Sequence, residues 1–341
     1  MATGAAAAPL MRRTIACTNK VLITDHTWPD VQVETALLEA AGLHVVDSPS
    51  ADEATLQALA TDAVAIMTCF ARVTPSVIEA ARDLRVVARF GVGVDNIAVD
   101  TASARAIPVT YVPDYCVAEV AEHALALLMS LARSVVRYNA SVKAGGWDLG
   151  VGAPLRRIEG RTLGLIGCGR IGARLAAKAT GLGLRVLVYD RAPIEPPPGA
   201  TSVTLDDLLE QADFVSVHVP LTSETRGLVD EAVLRRMKPT AFLINTARGG
   251  LVDTVALARA LRKGWIAGAG LDVLPQEPIA ADDPLLGLDN VVLTPHVAFY
   301  SEESLADLRR RTAQSVVDVL ASRAPEHLAN AEALTRMPTG R

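Results

Sequence analysis

Three ionisable residues follow predicted strands in the second half of the chain: Arg248 in INTARGG, Glu277 in LDVLPQEP and His296 in LTPHVAF. A histidine can give or take a hydroxyl proton at neutral pH. A carboxylate beside it can fix its tautomer and stabilise its charged form, and an arginine can hold a substrate carboxylate through two hydrogen bonds. Together these groups suit hydride transfer between a 2-hydroxy acid and a 2-oxo acid. Taken singly, they are better interpreted as a surface charge, a loop carboxylate and a structural histidine, respectively.

A glycine-rich segment, GCGRIG, lies between a predicted strand and a predicted helix. Gly167 permits a tight turn, Gly169 lets the backbone approach a pyrophosphate, and Gly172 lets the helix pack close to the strand. Asp190 ends the next predicted strand, where a carboxylate can bind ribose hydroxyls and repel a 2′-phosphate. The spacing therefore predicts a dinucleotide site that favours NAD over NADP. The adjacent Arg191 is the one feature that favours NADP.

Alternating strands and helices must position these residues. The chain from Lys20 to about Tyr115 predicts a small α/β unit, and residues 117–143 predict one long helix. Six further strands, separated by helices, predict a doubly wound parallel sheet in which the loops at the carboxyl ends meet over one crevice. A last helix at 302–321 is expected to pack on the first unit. The six strands are expected at 162–166, 185–189, 214–217, 241–244, 268–272 and 291–294.

Length and composition limit the function classes. The chain has 341 residues, half of them apolar, and a mean hydropathy of +0.28, so it can fill two cores. A net charge of −5 argues against a chain-wide basic surface for nucleic acid or anionic membrane. No apolar run reaches the roughly 18 residues that a membrane helix needs. Four scattered cysteines without a CxxC pair indicate reduced thiols in a cytoplasmic protein, and no metal site is predicted.

Several ordered motifs resemble those of the D-isomer-specific 2-hydroxyacid dehydrogenases, over about Lys20 to Ala329. The motifs are LGLIGCGRIG, HVPLTSET, FLINTARGGLVD, GAGLDVLPQEP and NVVLTPHVAFYS, preceded by VVARFGVGVDNI and CVAEVAEHALALLMSLAR. The resemblance implies an NAD-dependent oxidoreductase that acts on a small anionic 2-hydroxy or 2-oxo acid. It makes Arg248, Glu277 and His296 the catalytic residues, with His296 as the acid and base.

The resemblance also implies the domain organisation. A Rossmann-type, doubly wound parallel-sheet cofactor domain at residues 117–296 is inserted in a smaller, flavodoxin-like α/β substrate domain at residues 1–116 and 297–341. A homodimer formed through the cofactor domain is typical of the family, and the apolar helix at 117–132 is the expected surface.

Finer cofactor contacts follow from the same resemblance. His218 ends a strand, where a role at the cofactor and a packed side chain are both open. The other expected contacts are Arg170 and Ile171 at the pyrophosphate, Val219, Pro220 and Thr225 at the adenosine, Thr246 and Ala247 at the nicotinamide ribose, and Asp272 at the nicotinamide amide.

The expected substrate contacts lie in both predicted domains. Val92 and Gly93 are expected to offer backbone amides to the substrate carboxylate. Arg89 either adds a second positive charge there or pairs with Asp83 or Asp95. Phe299 either forms an apolar wall for the substrate or packs at the hinge.

Other functions remain open on the sequence. The segment VAFYSEES resembles the C-terminal-binding-protein branch of the family, whose animal members are NAD(H)-linked corepressors, so an NAD(H)-responsive scaffold protein is one alternative. Phosphoglycerate dehydrogenase is another. Phosphite or formate oxidation uses the same scaffold and also fits the motifs.

Overall fold

The computed structural model describes residues 19–331. Contacts divide the chain into two compact units. The terminal unit runs to Pro113 and resumes at Leu308, so it is built from both ends of the chain. The inserted unit is Asp114–Asp307.

The terminal unit contains a five-stranded parallel sheet with the strand order β2-β1-β3-β4-β5. This order is that of flavodoxin, as expected. The middle strand β3 is buried along its whole length, which is typical of a parallel sheet covered by helices on both faces. The strands are β1 (Lys20–Ile23), β2 (His44–Asp47), β3 (Ala63–Thr68), β4 (Val86–Arg89) and β5 (Val109–Thr110). The helices are α1 (Gln32–Ala40), α2 (Glu53–Ala60), α3 (Pro75–Ala80) and α4 (Val99–Ala104).

The inserted unit contains a seven-stranded sheet with the order β8-β7-β6-β9-β10-β11-β12, in which every neighbouring pair is parallel. The order reverses at β6, as in doubly wound dinucleotide-binding sheets. Its strands are β6 (Thr162–Ile166), β7 (Arg185–Tyr189), β8 (Ala200–Ser202), β9 (Phe214–Val217), β10 (Phe242–Asn245), β11 (Gly268–Leu271) and β12 (Val291–Leu293). Its helices are α5 (Val117–Ala132), α6 (Val135–Lys143), α7 (Arg170–Gly181), α8 (Leu205–Gln211), α9 (Glu231–Arg236) and α10 (Thr254–Lys263), and α11 (Glu302–Leu320) continues into the terminal unit.

Helices cover both faces of the seven-stranded sheet. Apolar side chains of α5 and α7 fill one core cluster against it, and those of α8, α9 and α10 fill the other. The α/β prediction and the Rossmann-type sheet are therefore confirmed. The carboxyl ends of seven strands lie along one edge, where the predicted cofactor-binding and catalytic residues are found.

Two predictions about the elements of the inserted unit were wrong. The sheet has a seventh strand, β8. It was not predicted because this short and largely exposed edge strand carries no apolar run. The long helix predicted at 117–143 is interrupted at Ser134, which adopts a left-handed conformation with φ of 51°. The Ser134 hydroxyl donates to the carbonyl oxygen of Gly152 at 3.1 Å, which anchors the break. The helix before the break buries seven of its sixteen residues, whereas α6 buries none.

The last helix packs as expected within the terminal unit. Arg309 donates to the fully buried carboxylate of Glu34 from Nε at 2.9 Å and from Nη2 at 2.8 Å. Such paired hydrogen bonds compensate the cost of burying a charged carboxylate. Beyond the helix, the Asn330 side chain accepts from the amide of Val109 at 2.7 Å. These contacts tie the C-terminal part of the chain to the first sheet.

Other expectations concern membranes and disulfides. Within residues 19–331, no helix has both the length and the apolar character needed to cross a bilayer. Cys69, Cys116 and Cys168 are free thiols. Burial raises the pKa of both Cys69 and Cys116 to about 12, so these two are protonated at neutral pH. Cys17 lies outside the described residues.

Candidate active site

The glycine-rich loop joins β6 to α7 at the carboxyl edge of the inserted sheet. Gly167 has φ of +91°, and a Cβ there would lie 2.7 Å from a methyl group of Val219. This position therefore requires glycine for its conformation and for the close approach of the next loop. A Cβ on Gly172 would meet the carbonyl oxygen of Gly167 at 2.7 Å, whereas one on Gly169 would meet nothing within 4 Å. The loop is tightly packed on the protein side and open at Gly169. Arg170 and Ile171 form the first turn of α7, where the helix N-terminus faces the loop.

Asp190 follows β7 and faces the glycine loop. Its Oδ2 accepts a hydrogen bond from the backbone amide of Cys168 at 3.1 Å. The carboxylate therefore orders the loop on which a pyrophosphate would lie. Arg191 forms an ion pair with Glu224, a residue that the sequence analysis did not single out.

The loop after β9 contains four predicted cofactor contacts. The ring of His218 is bonded to the Ser216 hydroxyl at 2.8 Å, and burial lowers the pKa of His218 to about 4, so the imidazole is neutral at neutral pH. Val219 packs against Gly167, and Pro220 is exposed. The Thr225 hydroxyl donates to the carbonyl oxygen of Pro220 at 2.7 Å, which makes it a part of the loop's own hydrogen bonding.

Thr246 and Ala247 follow β10, next to Arg248. The Thr246 hydroxyl oxygen is buried and has no hydrogen-bond partner within the described residues. Buried hydroxyl groups nearly always have partners, so this one fits a site for a polar ligand group. The open approach at Gly169 and the free helix end fit a dinucleotide in the same way.

The turn that carries Arg248 is fixed by two features of the chain. The buried Asn245 side chain donates to the carbonyl oxygen of Arg248 at 2.9 Å and accepts from the amide of Ala247 at 3.0 Å. A Cβ on Gly249 would lie only 1.9 Å from the carbonyl carbon of Leu274. Only glycine therefore lets the loop after β10 lie against the loop that leads to Glu277. Neither role was predicted from the sequence, although the ARGG motif contains the signal.

Glu277 and His296 form a direct pair. Nδ1 of His296 lies 2.7 Å from Oε2 of Glu277, and the backbone amide of Leu274 donates to Oε1 of Glu277 at 2.9 Å. Burial raises the pKa of the Glu277 carboxyl, but the hydrogen bond and charge of His296, the Leu274 amide and the nearby charge of Arg248 outweigh it and hold this pKa below its usual value. The three predicted catalytic residues therefore lie in one electrostatic neighbourhood, with the ring of Phe299 edge-on to His296 at 6.5 Å.

Asp272 holds the backbone that carries His296. Its Oδ1 accepts from the amide of Val297 at 2.9 Å and from the Thr294 hydroxyl at 2.6 Å, and its Oδ2 accepts from the amide of Ala298 at 2.9 Å. His296 has φ of 54°, a conformation that costs a non-glycine residue energy unless its surroundings impose it. The buried carboxylate supplies that constraint. The predicted contact of Asp272 with a nicotinamide amide stays a prediction.

The terminal unit has its own ordered loops at the carboxyl ends of β3 and β4. Arg89 is 8% exposed, and its guanidinium donates to the carbonyl oxygens of Gly93 at 2.9 Å, Thr68 at 3.4 Å and Phe90. Its hydrogen bonds therefore go to carbonyl oxygens rather than to Asp83 or Asp95. The roles expected of Arg89, Val92 and Gly93 toward a substrate carboxylate stay predictions.

Asp25 is a residue of this unit that the sequence analysis missed. Its carboxylate accepts from the backbone amides of Cys69 at 2.9 Å, Phe70 at 2.6 Å and Ala71 at 3.0 Å. It thereby fixes the loop after β3.

Comparison with known proteins decides the family. A family model described as the NAD-binding domain of D-isomer-specific 2-hydroxyacid dehydrogenases matches residues 125–298. The chain belongs to this family. It is an oxidoreductase that acts on a CH–OH group, and its inserted unit contains an NAD(P)-binding domain.

Named relatives of this oxidoreductase agree with that assignment. It is 47% identical over 270 residues to a glyoxylate reductase of Korarchaeum cryptofilum, which covers 77% of the chain and 81% of the relative. A D-lactate dehydrogenase of Aquifex aeolicus, solved with NAD and lactic acid, is 30% identical with a TM-score of 0.81 and covers 91% of the chain and 99% of that structure. An NADPH-dependent glyoxylate/hydroxypyruvate reductase of Sinorhizobium meliloti, solved with NADP and malonate, is 32% identical with a TM-score of 0.84 and covers 94% of the chain and 99% of that structure.

Proposed function

We propose that the protein is an NAD(H)-dependent reductase of glyoxylate and similarly small 2-oxo acids. The observation that carries this proposal is the 2.7 Å hydrogen bond between Glu277 and His296, on loops at the carboxyl edge of a sheet whose glycine-rich loop fits a dinucleotide. The glyoxylate reductase among the relatives supports the substrate class. Asp190 supports NAD(H), because a carboxylate at this position disfavours a 2′-phosphate.

In the direction of reduction, protonated His296 donates a proton from Nε2 to the carbonyl oxygen of the substrate. Glu277 fixes the ring by accepting at Nδ1 and stabilises the imidazolium before the proton is transferred. Arg248 holds the substrate carboxylate and polarises the carbonyl group as negative charge develops on its oxygen. Bound NADH supplies the hydride. In the reverse direction, neutral His296 removes the hydroxyl proton.

The test is consumption of NADH by the purified protein with a panel of 2-oxo acids. The panel comprises glyoxylate, hydroxypyruvate, pyruvate, a branched 2-oxo acid and phosphohydroxypyruvate. We expect the highest kcat/KM for glyoxylate or hydroxypyruvate, and a lower value with NADPH than with NADH. Turnover restricted to phosphohydroxypyruvate, or no turnover with any member of the panel, would contradict the proposal.

We further propose that the protein forms a homodimer through the inserted unit. The expected surface was the helix at 117–132, but α5 buries seven of its residues in the core of its own unit. A better surface is residues 135–149, here called the arm, which comprises α6 and the segment after it. No residue of its helix α6 is buried. Its exposed apolar side chains are Val135, Val136, Val142, Trp147 and Leu149.

A further inference from the structure

Arg191 and Glu224 form an ion pair that crosses the carboxyl end of β6. Arg191 follows β7, and Glu224 lies in the loop after β9, so the two residues come from strands on opposite sides of β6. The glycine-rich loop begins where β6 ends. Both side chains remain largely exposed, at 81% for Arg191 and 67% for Glu224. The pair therefore lies beside the predicted adenosine end of the dinucleotide site and is accessible to a ligand there.

Glu224 stands on a turn that the chain itself holds in place. The Thr222 amide donates to the Thr225 hydroxyl at 2.8 Å, and the Thr225 amide donates to the Thr222 hydroxyl at 3.3 Å. The Thr225 hydroxyl in turn donates to the carbonyl oxygen of Pro220 at 2.7 Å. These bonds fix the backbone on both sides of Glu224, so its carboxylate is presented toward Arg191 without a large loss of loop entropy.

Arg191 is the residue next to Asp190, whose carboxylate faces the glycine loop. NADP differs from NAD only by the 2′-phosphate on the adenosine ribose. An arginine near that ribose can accommodate the phosphate through paired hydrogen bonds. The chain thus has both a carboxylate that disfavours NADP and a cation able to bind it, in adjacent positions.

We propose that Glu224 is a determinant of cofactor specificity, because it engages Arg191 and thereby withholds that guanidinium from a 2′-phosphate. This inference rests on the proposed use of NAD(H), and it assigns to Glu224 a role that Asp190 alone does not fill.

The test measures the dissociation constants of NADH and NADPH by the change in their fluorescence on binding, without a substrate. In wild type, we expect tighter binding of NADH. In Glu224→Gln, we expect the ratio of the NADPH constant to the NADH constant to fall by roughly two- to fivefold, since exposed ion pairs are worth little. Added salt should reduce this gain because both groups are exposed.

Two further variants make the test specific. Glu195→Gln removes the same charge from the exposed loop after β7, and its ratio should equal that of wild type. In Arg191→Ala/Glu224→Gln, the gain should disappear, because the guanidinium that Glu224 releases is no longer present. An unchanged ratio in Glu224→Gln, or an equal gain in either the Glu195 variant or the double variant, would overturn the inference while leaving NADH binding and the proposed function intact. A wild type that binds neither dinucleotide would overturn both.

Discussion

At the scale of single residues, the candidate site depends on buried groups that hold the reactive ones. Asn245 fixes the turn at Arg248, and Asp272 fixes the backbone of His296 in a left-handed conformation. Neither Asn245 nor Asp272 needs to contact the substrate to matter. The geometry of Arg248, Glu277 and His296 is thus set by hydrogen bonds within the chain itself, as preorganised catalysis requires.

Replacement of His296 tests its proposed role as the acid and base. In His296→Ala, we expect kcat for the reduction of glyoxylate to fall by about 10²- to 10⁴-fold, because the variant lacks the imidazole that donates the proton. Binding of NADH, followed by fluorescence, should persist, since the glycine loop and Asp190 are untouched. Turnover close to that of wild type would show that another group transfers the proton.

Glu277→Gln removes the charge of the carboxylate but keeps its size, and so tests whether turnover depends on that charge. The lowered pKa of Glu277 means that the carboxylate is ionised across the neutral range, so the substitution removes a charge at every pH there. A charge-assisted hydrogen bond is worth about 1.5–3 kcal/mol, so we expect turnover to fall by roughly ten- to a hundredfold. Kinetics from acid to neutral pH should show the deficit narrowing only in the acid range, where the wild-type carboxylate of Glu277 itself becomes protonated. A deficit that is the same at all pH values would indicate a purely steric role.

At the scale of elements, the strand pattern was predictable and the irregular pieces were not. The predicted bounds of β6, β7 and β9 agree with the structure residue for residue, because buried parallel strands are continuous apolar runs. The two-residue β5 and the exposed β8 lack such a run.

The site, like the fold, was predictable only where a local sequence pattern carries the information. The resemblance of the motifs to those of the family predicted Arg248, Glu277 and His296, whereas their residue types and positions after strands left other interpretations open. The supporting contacts were not predictable, because they join residues far apart in the chain. Asp25, for example, binds the Phe70 amide 45 positions away. Local periodicity contains no information about such a pair, whereas the folded sheet brings the two loops together.

Asp213 lies at the amino ends of the strands of the inserted sheet, opposite the candidate site. Its hydrogen bonds make the stability of the folded chain depend on pH. Its carboxylate accepts from the amide of Thr162 at 3.0 Å and from Nζ of Lys238 at 3.1 Å. Burial raises the pKa of Asp213, but these hydrogen bonds lower it by more, so it lies below the value in the unfolded chain. A lowered pKa stabilises the folded state above about pH 4, and this stabilisation is lost as pH falls through the folded value.

Asp213→Asn should therefore lower the free energy of unfolding by about 1–2 kcal/mol at pH 7. Urea denaturation should give the same difference at pH 5 and a smaller one below about pH 4, where the carboxyl group of the unfolded chain binds a proton before that of the folded chain does. As a control, Asp206→Asn removes an exposed partner of Arg236 and should change stability by less than about 0.5 kcal/mol. A difference that does not depend on pH would show that packing, not charge, explains the effect.

At the scale of the whole molecule, the arm is a surface whose large apolar side chains are left exposed by the described part of the single chain. Trp147 is 91% exposed and Leu149 is 87% exposed, although side chains of this size normally pack. A nine-residue helix such as α6 is marginal in water without tertiary contacts. A second copy of the chain would bury these side chains and stabilise α6, and tryptophan is the residue most enriched among energetically important interface positions.

Trp147→Ser/Leu149→Ser should accordingly weaken the dimer. If Trp147 lies at the centre of the interface, its loss costs about 2–4 kcal/mol, which raises the dimer dissociation constant by roughly thirty- to several hundredfold. Sedimentation velocity over a range of concentrations measures this change. Val255→Ser, at a position on α10 that is 66% exposed, provides the control because it removes an exposed apolar side chain outside the arm. A wild type that sediments as a monomer, or a double variant as dimeric as wild type, would show that the arm does not mediate dimer formation, and its exposed tryptophan would then require a different partner.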